Sequence, residues 1–280
     1  MSDEIAFDDI KINYVTIAEA RAMGGLRLVL GGYTIPGPWR ESCKCLFDVK
    51  GIPYTSVRCS NADTSETSFG ANGSHSELIA WTAQSSAPVA IWEDERPRSS
   101  WIDQLNLAER LAPEPRLVPV DFEARVRMIG LINEIAGENG LGWSKRLILV
   151  EQALQNAEPG SADYAFWKTL GEKYLYTPAA GRAAKARMIE ILDQLDAELA
   201  ASKARGSRYF VGGSLSALDI YAACFYALLE PLPPELCPMA SGYRPAYRNA
   251  DPDIEQHMTP ALRGHRDFIY QQHLQLPIVF

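Results

Sequence analysis

Residues 77–111 read ELIAWTAQSSAPVAIWEDERPRSSWIDQLNLAERL, and the order of signals in them decides the fold. A short apolar run, Val89-Ala90-Ile91-Trp92, starts directly after Ala87-Pro88. Proline cannot donate to a strand ladder, so a proline at the mouth of a core strand needs a special turn. A cis Ala87-Pro88 bond supplies one, because cis bonds are mostly a proline phenomenon and mark tight turns. Such a turn leaves the Ala87 backbone extended and ready to pair with a peptide-like ligand. The acidic stretch Glu93-Asp94-Glu95 follows and is most simply a solvated turn. Ser99 and Ser100 then precede a helix-period run through Ile102, Leu105, Leu107 and Leu111. Both serines would stand where the helix begins, beside free amide donors that suit a carboxylate.

Upstream, Gly24-Gly25 releases the chain into Leu26-Arg27-Leu28-Val29-Leu30, a β-type run. A loop over 31–37 holds Pro36. Residues 39–50 read as a helix, with Cys43, Leu46, Phe47 and Lys50 at helical spacing. Gly51 stops it and Pro53 cannot continue it. Residues 54–59 are a second strand, and 60–76, rich in Ser, Asn, Gly and Thr, a loop. A helix over 76–81 leads to the Pro88 turn, and a very short fourth strand is expected near 96–98. This order, β-α-β-α-β-β-α, is that of a thioredoxin-like α/β domain. Downstream, Pro113, Pro115 and Pro119 break both helix and sheet and make 112–120 a linker. Everything after it reads helical, over 121–138, 143–157, 162–175, 182–204, 217–229 and 261–273. The proline-rich stretch 231–252 reads as an ordered loop or lid. The division is an extension over 1–24 with a short helix near 17–23, an α/β domain over 25–111, the linker, and an all-helical domain over 121–280.

A chain of 280 residues suits two domains at ~100–200 residues each. The net charge of −8 and pI near 5.1 argue against a nucleic-acid partner. No apolar run approaches the ~18 residues of a membrane span. The acidic start, MSDEIAFDDIKINYV, lacks the basic and apolar regions of a secretory signal. The five scattered cysteines suggest reduced thiols and a cytoplasmic location. Cys43 and Cys45 lack the two-residue gap of a redox pair, so packing is the better reading. The four histidines make no metal-ligand pattern, and His265 and His273 are expected to be exposed on a terminal helix. Gly31-Gly32 and Gly212-Gly213 match no phosphate loop.

The segment from Ala87-Pro88 through Ser99-Ser100 resembles the glutathione-binding half of the glutathione transferase superfamily. That family shows an apolar residue, a cis proline and a strand, then a charged turn and an acid-Ser pair before the next helix. Here the serine is kept as Ser100, and Ser99 stands in place of the acid. A second segment, Tyr209-Phe210-Val211-Gly212-Gly213-Ser214-Leu215-Ser216-Ala217-Leu218-Asp219, resembles the segment that opens the family's core helix. Its Ser216 and Asp219 read as a capping box, a structural role. The resemblance spans roughly residues 26–275. It implies glutathione as co-substrate, a small electrophile as second substrate, and a homodimer.

Such an enzyme must lower the pKa of the glutathione thiol, because thiolate is the nucleophile. A hydroxyl or thiol near the sulfur is the family's usual device. Counting back from Lys50-Gly51, the helix-start position of the Ser and Cys types falls on Gly37, Pro38 and Trp39. The tyrosine-type position falls on Tyr33, the leading catalytic candidate, whose plainer alternative is a loop tyrosine packed on the sheet edge. Thr34 and Ser42 are weaker donors, and Ser42 is otherwise solvent-exposed or bonded to nearby backbone. Arg40 either meets a glutathione carboxylate or is a surface arginine. The resemblance gives Ser100 the γ-glutamyl carboxylate, with helix capping as its alternative or simultaneous role. It gives backbone Ala87, beside Pro88, the cysteinyl part. Ser99 cannot attract the γ-glutamyl ammonium as an acid would, and Asp103, one turn on, would compensate weakly. For the second substrate, Arg125, Met128, Asn133, Trp143, Trp167 and Tyr174 are candidates, each with core or surface packing as the alternative. The 231–252 stretch, with Tyr243, Arg244 and Tyr247, could cover that pocket. The rival reading is a catalytically silent binding or scaffold protein of the same fold. A third is a glutathione-dependent isomerase, reductase or ether-cleaving enzyme, which fold alone does not separate.

Overall fold

The computed structural model describes residues 12–31, 36–59, 75–239, 243–248 and 251–279. The leading catalytic candidate Tyr33, with Thr34, lies outside them. The first element, α1 (Ile17–Arg21), is capped by Thr16 and Glu19 in a reciprocal capping box. Although it falls in the expected extension, it is part of the first layer. Val15 pairs with Val57, with Val15 N–H donating to Ser56 O at 3.0 Å.

The apolar run 26–30 becomes β1 (Leu26–Gly31), buried along its whole length at the centre of a three-stranded sheet. On one side lies β2 (Tyr54–Arg58), parallel, and on the other β3 (Val89–Trp92), antiparallel. Leu28 stands opposite Ser56 on one flank and Ala90 on the other. The two-residue period of a strand divides β1 between two cores. Leu26, Leu28 and Leu30 join the large core shared with the helices, and Val29 packs with Val57, Val89, Ile17 and Leu78 on the opposite face. Arg27 is buried in the strand, and its guanidinium donates to Met23 O and Glu93 O. The fourth strand expected near 96–98 shrinks to one antiparallel bridge, in which Ala90 and Arg98 exchange backbone hydrogen bonds of 2.9 Å each.

The crossover from β1 to β2 is α2 (Pro38–Val49), with proline in the first turn, where its missing N–H costs nothing. Next come α3 (Ser76–Thr82) and, after β3, α4 (Trp101–Leu111). Buried Lys50, just after α2, clamps the linker. Its Nζ donates to Ala112 O at 2.7 Å and Pro115 O at 2.8 Å, and pairs with Glu109 at 2.6 Å.

The helical half comprises α5 (Phe122–Ala136), α6 (Leu141–Asn156), α7 (Ala162–Lys173), α8 (Pro178–Ala204), α9 (Ala217–Leu229), α10 (Tyr243–Tyr247), α11 (Pro252–His257) and α12 (Pro260–His273). α8 starts earlier than the apolar periodicity shows, because Thr177 caps it and Pro178 fits its first turn. α9 is buried on every side, as its almost unbroken apolar sequence dictates. Asp219 in its first turn accepts from Ser216 N at 2.9 Å and Ser216 Oγ at 2.7 Å. It also contacts His265 Nε2 at 2.9 Å. His265, expected on the solvent side of its helix, is therefore a core residue, with its Nε2 against the buried Asp219 carboxylate. Among the described residues, no helix is long and apolar enough to cross a membrane.

Candidate functional site

The Ala87-Pro88 bond is cis, as expected. Pro88 is buried and Ala87 half-buried, and among the described residues no backbone hydrogen bond uses the Ala87 N–H or C=O. The start of α4 is tied to this turn by one buried side chain. Gln104 Nε2 donates to Pro88 O at 3.2 Å and to Arg98 O at 3.3 Å. Ser100 is the N-cap of α4, and its Oγ accepts from Asp103 N at 3.2 Å. Ser99 and Ser100 are both exposed at this helix start, where the first amides and the helix dipole favour an anion. Asp103 is occupied by Arg96 at 3.2 Å, a hydrogen bond that holds its carboxyl below the usual range.

At the start of α2, Trp39 belongs to the junction of the halves. Its indole N–H donates to Ala136 O at 2.7 Å, and its ring meets Phe225 edge-on with centroids 5.0 Å apart. Gly142 makes room for both rings, since a Cβ there would lie 2.4 Å from Phe225. Arg40 is half-buried and donates to Leu30 O, at the end of β1, at 2.9 Å. Ser42 is fully buried rather than solvent-exposed, and its hydroxyl donates to Pro38 O at 2.8 Å. Glu41 and Lys44 form a buried pair at 3.1 Å. Burial pushes the Cys43 thiol well above its ordinary range and the Cys237 thiol up to about 12.

The second-substrate candidates scatter. Met128 is core, Arg125 donates to Val120 O at 3.0 Å, and Trp143 donates to Tyr174 O at 3.0 Å. Tyr247, from the stretch expected to cover the pocket, is buried. Its hydroxyl is pushed up to about 12 by burial, opposed by nearby Arg146 and Arg40. Its ring packs with Leu228 of α9 and Met239. Lys145 and Arg146, both buried on α6, were missed because charged residues inside an amphipathic pattern read as its solvent face. Among the described residues no cluster of metal-ligating groups occurs.

Residues 178–267 match the family model described as "Glutathione S-transferase, C-terminal domain". No curated protein sequence matches the chain. Among solved structures, the fold is similar to a glutathione S-transferase from Methylobacillus flagellatus with glutathione bound (TM-score 0.57, 13% identity, 88% of this chain and 95% of that one). It is similar to a glutathione transferase family member from Pseudomonas fluorescens with two glutathione bound (TM-score 0.57, 14% identity, 93% and 98%). It is also similar to a beta-etherase from Sphingobium (TM-score 0.53, 14% identity, 87% and 99%). The chain has the architecture of the glutathione S-transferase superfamily, a thioredoxin-like α/β half followed by an all-helical half.

Proposed function

We propose that the protein binds glutathione along the edge formed by Ala87 and the start of α4, and uses it to conjugate or transform a small electrophile. The observation that carries this reading is that Gln104 ties the Pro88 turn, whose Ala87 backbone has no backbone partner among the described residues, to the helix start at Ser100. A peptide placed there would hydrogen-bond to Ala87 through its cysteinyl backbone. Its γ-glutamyl carboxylate would meet Ser100 and the first amides of α4. Ser99 offers the ammonium no charge, and Asp103 is the nearest acid of that helix turn. Arg40 would add a cation near the start of α2. Tyr33 would donate to the glutathione sulfur and hold it as thiolate. Cys43 and Cys237, kept as thiols by burial, suit a reaction whose sulfur nucleophile comes from outside the chain.

One observation favours the catalytically silent alternative. Trp39, at the family's helix-start donor position, is committed to packing between the halves. An isomerase, reductase or ether-cleaving reaction would use the same glutathione edge. All five cysteines are buried and outside any disulfide, which suits a reducing cytoplasm. The exposed apolar side chains of Val120, Phe122 and Val126, gathered at the start of α5, suit a homodimer. The test is titration calorimetry with reduced glutathione at two temperatures. Binding at micromolar to millimolar affinity supports the reading, and no heat at either temperature removes it.

A further inference from the structure

A cavity of about 460 Å³ lies at the C-terminal end of α9. That is within the size range of small-molecule sites. Among the described residues its walls belong to the helical half, and neither Ala87 nor Ser100 lines it. Leu229 and Met258 give it an apolar side. Three arginines, Arg244, Arg248 and Arg263, line it with two glutamates, Glu230 and Glu255.

The arginines are not equivalent. Arg263 is neutralised, with its Nε donating to Glu230 at 2.6 Å and its Nη2 to Glu255 O at 3.2 Å. Arg244 is held by two carbonyls, Leu232 O at 2.8 Å and Cys237 O at 2.5 Å. These orient its guanidinium without cancelling its charge. Arg248 follows one helical turn later, its N–H donating to Arg244 O at 3.0 Å, so both side chains leave the same face. Arg248 reaches Glu255 only at 3.9 Å, and its side chain is 72% exposed. Among the described lining residues one positive charge is therefore left over, presented by two guanidiniums beside an apolar wall. That combination matches a monoanion with an apolar body, since guanidinium forks bind carboxylates in plane.

We propose that this cavity is a binding site for a small amphipathic carboxylate, with Arg248 and Arg244 taking the carboxylate and Leu229 and Met258 the apolar body. The test is calorimetry of the full chain with phenylbutyrate, using uncharged phenylbutanol as control. Phenylbutyrate is expected to bind and phenylbutanol to bind much more weakly. Arg248→Gln, an exposed change that leaves the packing intact, should weaken the acid roughly tenfold. Glu255→Gln should tighten it, because the competing carboxylate is gone. Saturating glutathione should leave its affinity unchanged, and competition would place the acid at the glutathione edge and overturn the proposal. Equal binding of acid and alcohol, an indifferent Arg248→Gln, or no heat from wild type at millimolar phenylbutyrate would each overturn it as well. The comparison of acid with alcohol and the two substitutions read the cavity whether or not glutathione is bound or turned over, and only the competition reading needs it bound.

Discussion

Gln104 Nε2 lies 3.2 Å from the carbonyl of Pro88, and this bond joins the helix start that carries Ser100 to the turn that carries Ala87. The amide is buried and bonded at the same time to Arg98 O. Gln104→Ala takes the side-chain donor from the buried Pro88 carbonyl, while Arg98 O keeps the Ala90 N–H, so it should cost about 1–3 kcal/mol of stability. It should also weaken glutathione binding, because the two halves of the proposed edge are no longer held in register. Urea denaturation and calorimetry on the same preparation check both effects. Loss of stability with unchanged glutathione affinity would place Gln104 outside the binding geometry.

Ser100 caps α4 in the structure and would bind a carboxylate in the proposed complex, and two substitutions separate these roles. Ser100→Ala removes cap and ligand donor together, at about 1 kcal/mol of stability and about 1–3 kcal/mol of glutathione affinity. Ser100→Asp keeps a good cap but sets a negative charge against the ligand carboxylate. It should fold as stably as wild type and fail to bind glutathione. If Ser100→Asp binds normally, the serine is a cap alone.

Tyr33→Phe removes the proposed donor to sulfur. The thiol of bound glutathione should then titrate nearer its free value of ~8.5, and turnover should slow. Ultraviolet titration of the bound thiolate reads the first effect, and initial rates with an aryl halide the second. Unchanged rates and an unchanged thiolate titration would take Tyr33 out of the role.

Lys145 is buried on α6, and desolvation, with Arg146 beside it, pushes its amine down to about 8 against an ordinary 10.5, partly opposed by Asp251. Between those values the unfolded chain holds the extra proton, so this group makes the protein more stable as pH rises from about 8 to about 10.5. Below about 8 its charge is a full burden on the folded state. Lys145→Met should therefore stabilise the protein at neutral pH and flatten the alkaline rise in stability. Urea midpoints measured across that range check it, and an unchanged slope would assign the rise to other groups.

The strands and helices of this chain were legible because their signals are local. The run 26–30 is apolar throughout and became the central strand, and Ala87-Pro88 before 89–92 marked the turn. Pro113, Pro115 and Pro119 marked the linker, and Ser216 with Asp219 marked the start of the buried helix α9. What failed to show were contacts between distant segments. The strand expected at 96–98 lacks neighbours enough to extend past one bridge. His265 looks like a helix-surface residue until Asp219 is placed against it. Ser42 bonds nearby backbone, as one of its two readings had it, and only its full burial depends on distant packing.

By itself the sequence determined the two-part architecture and the residues that build the proposed glutathione edge, since apolar periodicity, proline and capping act within a few residues of where they stand. Only the tertiary structure decided that Trp39 joins the halves through Ala136, that Lys50 holds the linker, and that three arginines surround one cavity. These depend on side chains brought together across many residues of chain. Burial then fixes their partners, because a charge or donor taken from water must find one inside.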